Sequence, residues 1–267
     1  AVDGVSFSVR RGEVVGIVGE SGCGKSVTAE SIMRLLDEAS TEYEGQIRFE
    51  DDTDLLALSD EQMREYRGGR IGMIFQDPMS SLNPVYTIGY QLTEALLTHT
   101  DLGRHGAYKR ALEVLRLTRI PQPELRMKQY PHELSGGQRQ RVVIAMALCC
   151  EPDLLIADEP TTALDVTTQS QILVLMEDLR KKFDTGTLFI THDLGVVAEI
   201  CDRVIVMYLG QVIEETDVFT LFDNPAHPYT RGLLASTPSA HTDNSQPLPV
   251  IPGAVPTLRE VPFGCRF

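Results

Sequence analysis

Short apolar runs recur along the chain, with helical segments between them. Four runs are of strand type, at residues 14–18, 70–75, 153–157 and 187–191. The pattern predicts helices at residues 26–36, 142–150 and 168–182. This alternation of short strands and helices is typical of an α/β fold.

The remaining short elements complete this outline. Residues 5–9 and 45–49 alternate like half-buried strands, and residues 205–208 and 211–214 form a hairpin through Gly210. The hairpin predicts an antiparallel β edge on the α/β core. The stretch Ser59-Asp60-Glu61-Gln62 predicts a capping box for a short helix that reaches Arg67.

From residue 87 the period becomes helical, since Ile88, Leu92 and Leu96 share one face. Pro121 and Pro123 close this helical insert. From Pro225 onward the chain is rich in proline, and beyond Leu234 it loses its periodicity, which predicts a loosely packed tail. The predicted divisions are an α/β core (1–83 and 151–222), an inserted helical domain (84–150) and a C-terminal Pro-rich tail (223–267).

Composition narrows the class of protein. The longest apolar run, residues 142–150, is far shorter than the ~20 residues of a bilayer-spanning helix, and we expect no signal peptide. The net charge of −14 argues against general nucleic-acid binding. Five cysteines without disulfide or zinc spacing indicate a reducing, cytosolic compartment. Nineteen arginines against five lysines leave adaptation to high salt and ordinary drift equally open.

One glycine-rich stretch carries the strongest chemical signal. It reads G-x-x-x-x-G-K-S, between a strand and a helix, in the sequence Gly19-Glu20-Ser21-Gly22-Cys23-Gly24-Lys25-Ser26. Glycines let successive N–H groups face inward as an anion nest, and the helix dipole adds positive potential. Lys25 is expected to reach the β- and γ-phosphates of a nucleotide, and the Ser26 hydroxyl to ligate Mg²⁺. Cys23 is either a reactive thiolate beside Lys25 or an inert thiol tucked against the sheet.

A second glycine-rich helix start follows at Ser135-Gly136-Gly137-Gln138. A simple helix cap would explain Ser135 but not the Gly-Gly-Gln after it. A chain needs only one phosphate cradle for its own nucleotide. The second cradle therefore indicates a site for another subunit's nucleotide.

Five segments, in this order, resemble the ATP-binding subunit of an ABC transporter. They are GESGCGKS, the glutamine after IF (Gln76), LSGGQRQR, LLIADEP with TALD, and the histidine in THD (His192). The resemblance covers nearly the whole chain, and LSGGQ is the signature of the family. The strings IFQDPMSSLNP and NPAHPYTRGLL resemble the subfamily that imports dipeptides and oligopeptides, which also includes nickel importers.

The resemblance implies ATP and Mg²⁺ as cofactors and gives roles to polar residues at the strand ends. Asp158 would hold Mg²⁺ together with Ser26 and Gln76. Glu159 would polarise the attacking water, Gln76 would contact it, and His192 would contact the γ-phosphate. Taken singly, each of these residues could instead be an ordinary turn, loop or surface side chain with no role in the chemistry.

The resemblance also implies partners. Two ATPase subunits, identical or paralogous, would pack head to tail, with residues 135–138 capping the partner's γ-phosphate and Asp165 at the seam. Two membrane-spanning permease subunits and a substrate-binding protein would complete the complex, without nucleic acid, and place the chain at the cytoplasmic face of the cell membrane. The loop at residues 76–84 would pass the nucleotide state to the permease.

Two departures and two rival functions accompany this resemblance. The family usually stacks adenine on an aromatic residue well before the position of Lys25, so we expect an N-terminal truncation. The tail of the subfamily often continues into a cysteine-rich segment, and the single Cys265 does not establish a metal or iron–sulfur site. The rivals are a soluble ABC-type ATPase of DNA repair or translation, and a module that binds ATP without turnover. Intact Glu159 and His192 argue against the second.

Overall fold

A six-stranded sheet forms the centre of the protein, described here from a computed structural model that covers residues 1–50, 52–77, 81–162, 164–237, 249, 251 and 264–267. The strands in these ranges are β1 (Val14–Val18), β2 (Ile71–Ile74), β3 (Leu154–Asp158), β4 (Gly186–Ile190), β5 (Arg203–Tyr208) and β6 (Gln211–Asp217). The α-helices are α1 (Lys25–Ile32), α2 (Asp60–Tyr66), α3 (Ile88–His99), α4 (Arg104–Leu117), α5 (Pro123–Arg126), α6 (Gly136–Leu148), α7 (Val166–Phe183), α8 (Leu194–Ile200), α9 (Val218–Asp223) and α10 (Pro228–Ser236). Short 3₁₀ helices lie at Leu55–Ala57 and Pro131–Glu133.

The strand order is β2-β3-β4-β1-β5-β6. The first five strands are parallel, and β6 pairs antiparallel with β5. This arrangement confirms the predicted α/β fold with an antiparallel edge. Among the described helices, none combines the length and apolarity that a membrane crossing requires.

The sheet is covered on both faces, because alternate residues of each strand enter different hydrophobic clusters. Val14 and Val18 of β1 belong to the cluster that holds the buried residues of α3, α4, α6 and α7. Val15 and Ile17 belong to the cluster on the opposite face, with residues of α1 and α2. This alternation makes β1 a fully buried central strand that fixes the start of the glycine-rich loop.

The strands predicted at residues 5–9 and 45–49 are wrong. The side chains of Val5, Phe7, Val9, Ile47 and Phe49 are half-buried and pack against the second cluster, as the alternation indicated. Among the described residues, their backbones do not join the sheet, and Arg48 forms an isolated bridge with Asp54 outside it. Alternation reports which side chains are buried, whereas a ladder also needs a free neighbouring strand edge.

Other predicted elements are confirmed, although some begin or end at different residues. The capping box at Ser59 starts α2, and α6 begins at Gly136, well before the predicted residue 142. The prediction of a loosely packed tail from Pro225 onward is wrong over α10 (Pro228–Ser236), whose Tyr229 is fully buried. Most of the predicted tail beyond residue 237, and residues 78–80 of the predicted 76–84 loop, lie outside the described residues.

Candidate nucleotide site

The phosphate loop (residues 19–26) leaves the buried strand β1 and enters α1. Gly19 is pressed against the end of β5, where a Cβ would lie 2.3 Å from the Met207 carbonyl oxygen. Gly24 is the N-cap of α1 with φ of 107°, a conformation that L side chains rarely adopt. Both positions therefore require glycine, and the loop curls as the sequence predicted.

The N-terminus of α1 is open toward this loop. Gly24 has no side chain to cap the first N–H groups, and the helix dipole leaves positive potential there. Lys25 is buried, and its Nζ donates to the carbonyl oxygens of Gly19 at 2.7 Å and Glu20 at 2.9 Å. The loop thus presents uncapped donors and a folded-back ammonium group, which suits a phosphate chain.

The structure favours the inert interpretation of Cys23. Its side chain is buried in the cluster beneath the sheet, and burial raises the pKa of the thiol despite Lys25, whose Nζ lies 3.8 Å from Sγ. A buried thiol with a raised pKa is a poor nucleophile. Cys23 serves as a small packing residue under the loop.

Asp158 ends β3 and carries a buried carboxylate. Burial raises the pKa of this carboxyl group, and a hydrogen bond from the Ser26 hydroxyl opposes that change. Its Oδ1 atom is buried and has no hydrogen-bond partner. An unpartnered buried carboxylate oxygen beside a serine hydroxyl fits a hard divalent cation such as Mg²⁺, which prefers oxygen ligands.

Glu159 gathers the other predicted catalytic residues. Its Oε2 atom accepts hydrogen bonds from Gln76 Nε2 at 3.0 Å and from the Thr162 hydroxyl at 2.9 Å. His192 Nδ1 lies 3.1 Å from Oε1. Burial alone would raise the pKa of Glu159, but the hydrogen bonds of His192 and Thr162 hold it below the ordinary value. The backbone of Glu159 has φ of 46°, in the left-handed region that non-glycine residues seldom occupy.

These residues meet because parallel strands end at one edge of the sheet. The phosphate loop follows β1, Gln76 follows β2, and Asp158 and Glu159 stand at the end of β3. His192 follows β4, which lies between β3 and β1. The carboxyl edge therefore joins four segments that are far apart in sequence.

The second cradle, residues 135–138, is built differently. Ser135 Oγ accepts from the Gln138 N–H at 3.3 Å, and Gln138 Oε1 accepts from the Ser135 N–H at 3.2 Å. This capping box closes the start of α6 upon itself and accounts for Gln138 as well as Ser135, contrary to the expectation from the sequence; Ser135 and Gly136 are exposed. Among the described residues, neither Ser135 nor Gln138 is hydrogen-bonded to the phosphate loop.

Asp165 lies close to the second cradle. It caps α7 by accepting from the N–H of Thr168 at 3.0 Å and from its hydroxyl at 2.7 Å. A Cβ at Gly137 would lie 2.9 Å from Thr168 Cγ2, so the starts of α6 and α7 adjoin. Asp165 and the second cradle thus share one exposed part of the surface.

Sequence reasoning missed three residues of this region. Thr162 holds Glu159, and its spacing three residues later in a tight turn was a usable signal. The buried Gln140 donates from Nε2 to the Pro160 carbonyl at 2.5 Å, which ties α6 to the segment after Glu159. Tyr229 contacts the backbone of the phosphate loop at Glu20, and no local signal indicated that contact.

Comparisons with known proteins agree with this geometry. The family model described as ABC transporter matches residues 2–162, and the one described as oligopeptide/dipeptide transporter, C-terminal region, matches residues 213–267. The chain is 57% identical to the probable peptide ABC transporter ATP-binding protein y4tR of Sinorhizobium fredii, over all of this chain and 80% of that protein. It is 55% identical to the oligopeptide transport ATP-binding protein OppD of Bacillus subtilis, over all of this chain and 75% of that protein.

A comparison with solved structures also matches this chain to an ATP-binding cassette. The dimeric post-hydrolysis state of the ATP-binding cassette MJ0796, bound to ADP and Pi, superposes with a TM-score of 0.71 at 30% identity. The match covers 81% of this chain and 90% of that one. From the fold, the site and these matches, the chain belongs to the ABC transporter family as an ATP-binding ATPase, in the branch with the oligopeptide/dipeptide transporter C-terminal region.

Proposed function

We propose that this chain hydrolyses Mg²⁺–ATP within a dimer of ATPase subunits and thereby powers the import of dipeptides or oligopeptides. The observation that carries the proposal is the convergence of Gln76, Thr162 and His192 on Glu159, beside the phosphate loop. This cluster suits the activation of water next to a bound triphosphate.

Nucleotide binding would use the loop backbone and Lys25. The ammonium group would exchange the carbonyl oxygens of Gly19 and Glu20 for the β- and γ-phosphates, a charge-assisted and therefore stronger contact. Ser26, Asp158 and Gln76 would hold Mg²⁺, which supplies charge neutralisation on the phosphates when bound. The unpartnered Oδ1 of Asp158 supports this assignment.

Glu159 would orient and polarise the attacking water. Its lowered pKa keeps the carboxylate ionised at neutral pH, as a general base requires. Gln76 and Thr162 hold Oε2, and Oε1 would accept the proton of the water once His192 turns to the γ-phosphate. His192, with a side chain that is 63% exposed, would contact the γ-phosphate from the open side.

The second cradle would act on a partner's nucleotide. Its helix start is exposed and self-capped, and among the described residues neither Ser135 nor Gln138 is hydrogen-bonded to the phosphate loop of its own chain. Two subunits, identical or paralogous, would pack head to tail so that residues 135–138 of one cover the phosphate loop of the other. Asp165, next to the second cradle, would lie in the same interface.

Peptide cargo is supported by the C-terminal region and by the names of the relatives. Two membrane-spanning permease subunits and a substrate-binding protein would complete the complex, with this chain at the cytoplasmic face of the membrane. Co-purification of the membrane complex and identification of its subunits tests these partners. Uptake of labelled peptide by the reconstituted complex, with uptake of nickel as the competing outcome, tests the cargo.

The dimer is tested with Glu159→Gln. The substitution keeps the shape of the side chain but removes the charge that polarises water, so turnover should fall about 10²- to 10⁴-fold. ATP should persist and hold two subunits together. With Mg²⁺–ATP the variant should shift to a dimer on size exclusion, after nucleotide occupancy has been checked.

A second substitution shows which surface closes the dimer. Glu159→Gln/Ser135→Arg should remain monomeric, because the arginine blocks the second cradle. Glu159→Gln/Ser59→Arg is the matched control, since Ser59 forms the same type of capping box on α2, and this protein should still dimerise. A nucleotide-loaded Glu159→Gln protein that stays monomeric, alone and with every paralogue, contradicts the proposed dimer.

A further inference from the structure

The peptide unit between Gly19 and Glu20 is held at both of its polar ends. Its carbonyl oxygen accepts from Lys25 Nζ at 2.7 Å, and its N–H donates to the Tyr229 hydroxyl at 3.0 Å. The next carbonyl, that of Glu20, accepts from Lys25 and from the N–H of Cys23. The entry to the phosphate loop is therefore fixed from inside by Lys25 and from outside by Tyr229.

Tyr229 is itself rigidly placed. It is fully buried, and its ring packs against Tyr208 at a centroid distance of 4.7 Å and against Phe267 at 5.4 Å. The strand that contributes Tyr208 also contributes Met207, whose carbonyl abuts Gly19. The hydroxyl of Tyr229 thus reaches the loop from a packed aromatic cluster.

Glu214 of β6 fastens the helix that carries Tyr229. Its carboxylate accepts from the N–H groups of Ala226 at 2.7 Å and His227 at 2.9 Å, and from the Thr230 hydroxyl at 2.5 Å. The His227 ring in turn caps α10 by accepting from the Tyr229 N–H at 3.1 Å. Side chains from sequence positions far beyond the loop therefore fix one hydroxyl at its entry.

The same helix forms a wall beside the nucleotide site. A cavity of about 170 Å³ separates α10 from the nucleotide site. Leu233 and Ser236 of α10 line one side, and Gly19, Glu20 and His192 line the other. The C-terminal region therefore adjoins the phosphate loop both through the hydrogen bond of Tyr229 and through this shared cavity.

We infer that Tyr229 is a positioning residue for ATP binding, which acts by holding the Glu20 N–H outward so that the following loop donors face the phosphates. The inference rests on the proposed binding of Mg²⁺–ATP in this loop. When Lys25 turns to the phosphates it releases Gly19 and Glu20, and among the described residues the Tyr229 hydroxyl is then the hydrogen-bond partner that remains on that peptide unit. The C-terminal region thereby contributes directly to the affinity for ATP.

Tyr229→Phe tests the inference, because it keeps the ring and removes only the acceptor for the Glu20 N–H. A neutral hydrogen bond contributes about 0.5–1.5 kcal/mol, so the Kd for ATP should rise about 2- to 13-fold. The kcat at saturating ATP should change less than twofold, since Glu159 and its partners are untouched. Backbone hydrogen–deuterium exchange across residues 19–23 should also become faster without nucleotide.

Tyr208→Phe is the matched control, because Tyr208 belongs to the same aromatic cluster and its ring lies beside that of Tyr229. It should leave the Kd for ATP and the exchange of residues 19–23 unchanged. Equal Kd values for Tyr229→Phe and the unmodified protein, or an equal loss in Tyr208→Phe, would overturn the inference. If the unmodified protein binds no ATP, the proposed function fails, and the exchange comparison still decides on Tyr229.

Discussion

The chain contains two glycine-rich helix starts, and they differ in what completes them. The phosphate loop is braced by its surroundings: the end of β5 presses on Gly19, and Tyr229 holds Glu20. Its helix start has no side-chain cap. The second cradle, residues 135–138, is exposed and capped by its own Ser135 and Gln138.

The difference teaches how one motif serves two purposes. An uncapped helix start inside a braced loop leaves backbone N–H groups without acceptors. Such a start can therefore bind an anion without help from a second subunit. A self-capped start on the surface satisfies its donors until another molecule arrives. We therefore expect the first to set the affinity of a single subunit for ATP, and the second to act only within the dimer.

The largest difference between the two cradles should come from Lys25→Met, which removes the charge from the phosphate loop and keeps the side-chain volume. Hydrogen bonds to charged groups contribute about 1.5–3 kcal/mol, so the monomer should bind ATP about 10- to 100-fold more weakly. Fluorescent-nucleotide titration of dilute protein measures this. Ser135→Ala, measured in the same way, should change the affinity of the monomer less than twofold; equal losses would remove the distinction between the cradles.

Alanine at the two glycines should change stability in opposite directions. Gly24→Ala forces a Cβ into a backbone with φ of 107°, at a cost of about 1–3 kcal/mol in the free energy of unfolding. Gly136 is helical, and an added Cβ there meets no atom within 4 Å, so Gly136→Ala should stabilise by up to about 1 kcal/mol. Chemical denaturation of both variants provides the comparison. Destabilisation by both would show that the second start is also strained.

Loss of the cap at the second cradle should have a moderate effect. Ser135→Ala removes the acceptor for the Gln138 N–H, and a lost N-cap costs about 1 kcal/mol of stability. Ser59→Ala removes the corresponding acceptor from α2 and should cost a similar amount. Thermal melts give both values, and an unchanged melting temperature for Ser135→Ala would mean that its capping box contributes nothing.

The smallest effect concerns the bracing of the phosphate loop at low pH. Burial tends to raise the pKa of Glu214, but the hydrogen bonds from Thr230, Ala226 and His227 outweigh it and lower the pKa below its ordinary 4.5. A lowered folded-state pKa gives stability that is present above the unfolded value and lost as the pH falls through the folded one. Between about pH 5 and pH 3, Glu214→Gln should therefore lose less unfolding free energy than the unmodified protein. Denaturation curves at both pH values measure this, and an equal loss of unfolding free energy in the two proteins would contradict this role of Glu214.

The sequence alone determined the position of those elements that depend only on neighbouring residues. The buried runs placed β1 and β3, the turn at Gly210 placed the β5–β6 hairpin, and the G-x-x-x-x-G-K-S spacing placed the phosphate loop. Each depends on side chains within a few residues of one another, which the hydrophobic pattern and glycine positions record directly.

Only the tertiary structure decided the contacts that join distant segments. Val5, Phe7 and Val9 alternate like a strand, but their side chains pack on the second cluster while their backbone joins no strand of the described residues. Cys23 could be reactive or inert until its burial was known, because the same sequence allows both. Tyr229 reaches Glu20 across 209 residues through the packing of α10 on β5 and β6, and the sequence near either residue carries no record of that contact. The sequence therefore identified the nucleotide loop, while the packing of the sheet and of α10 determined what holds it in place.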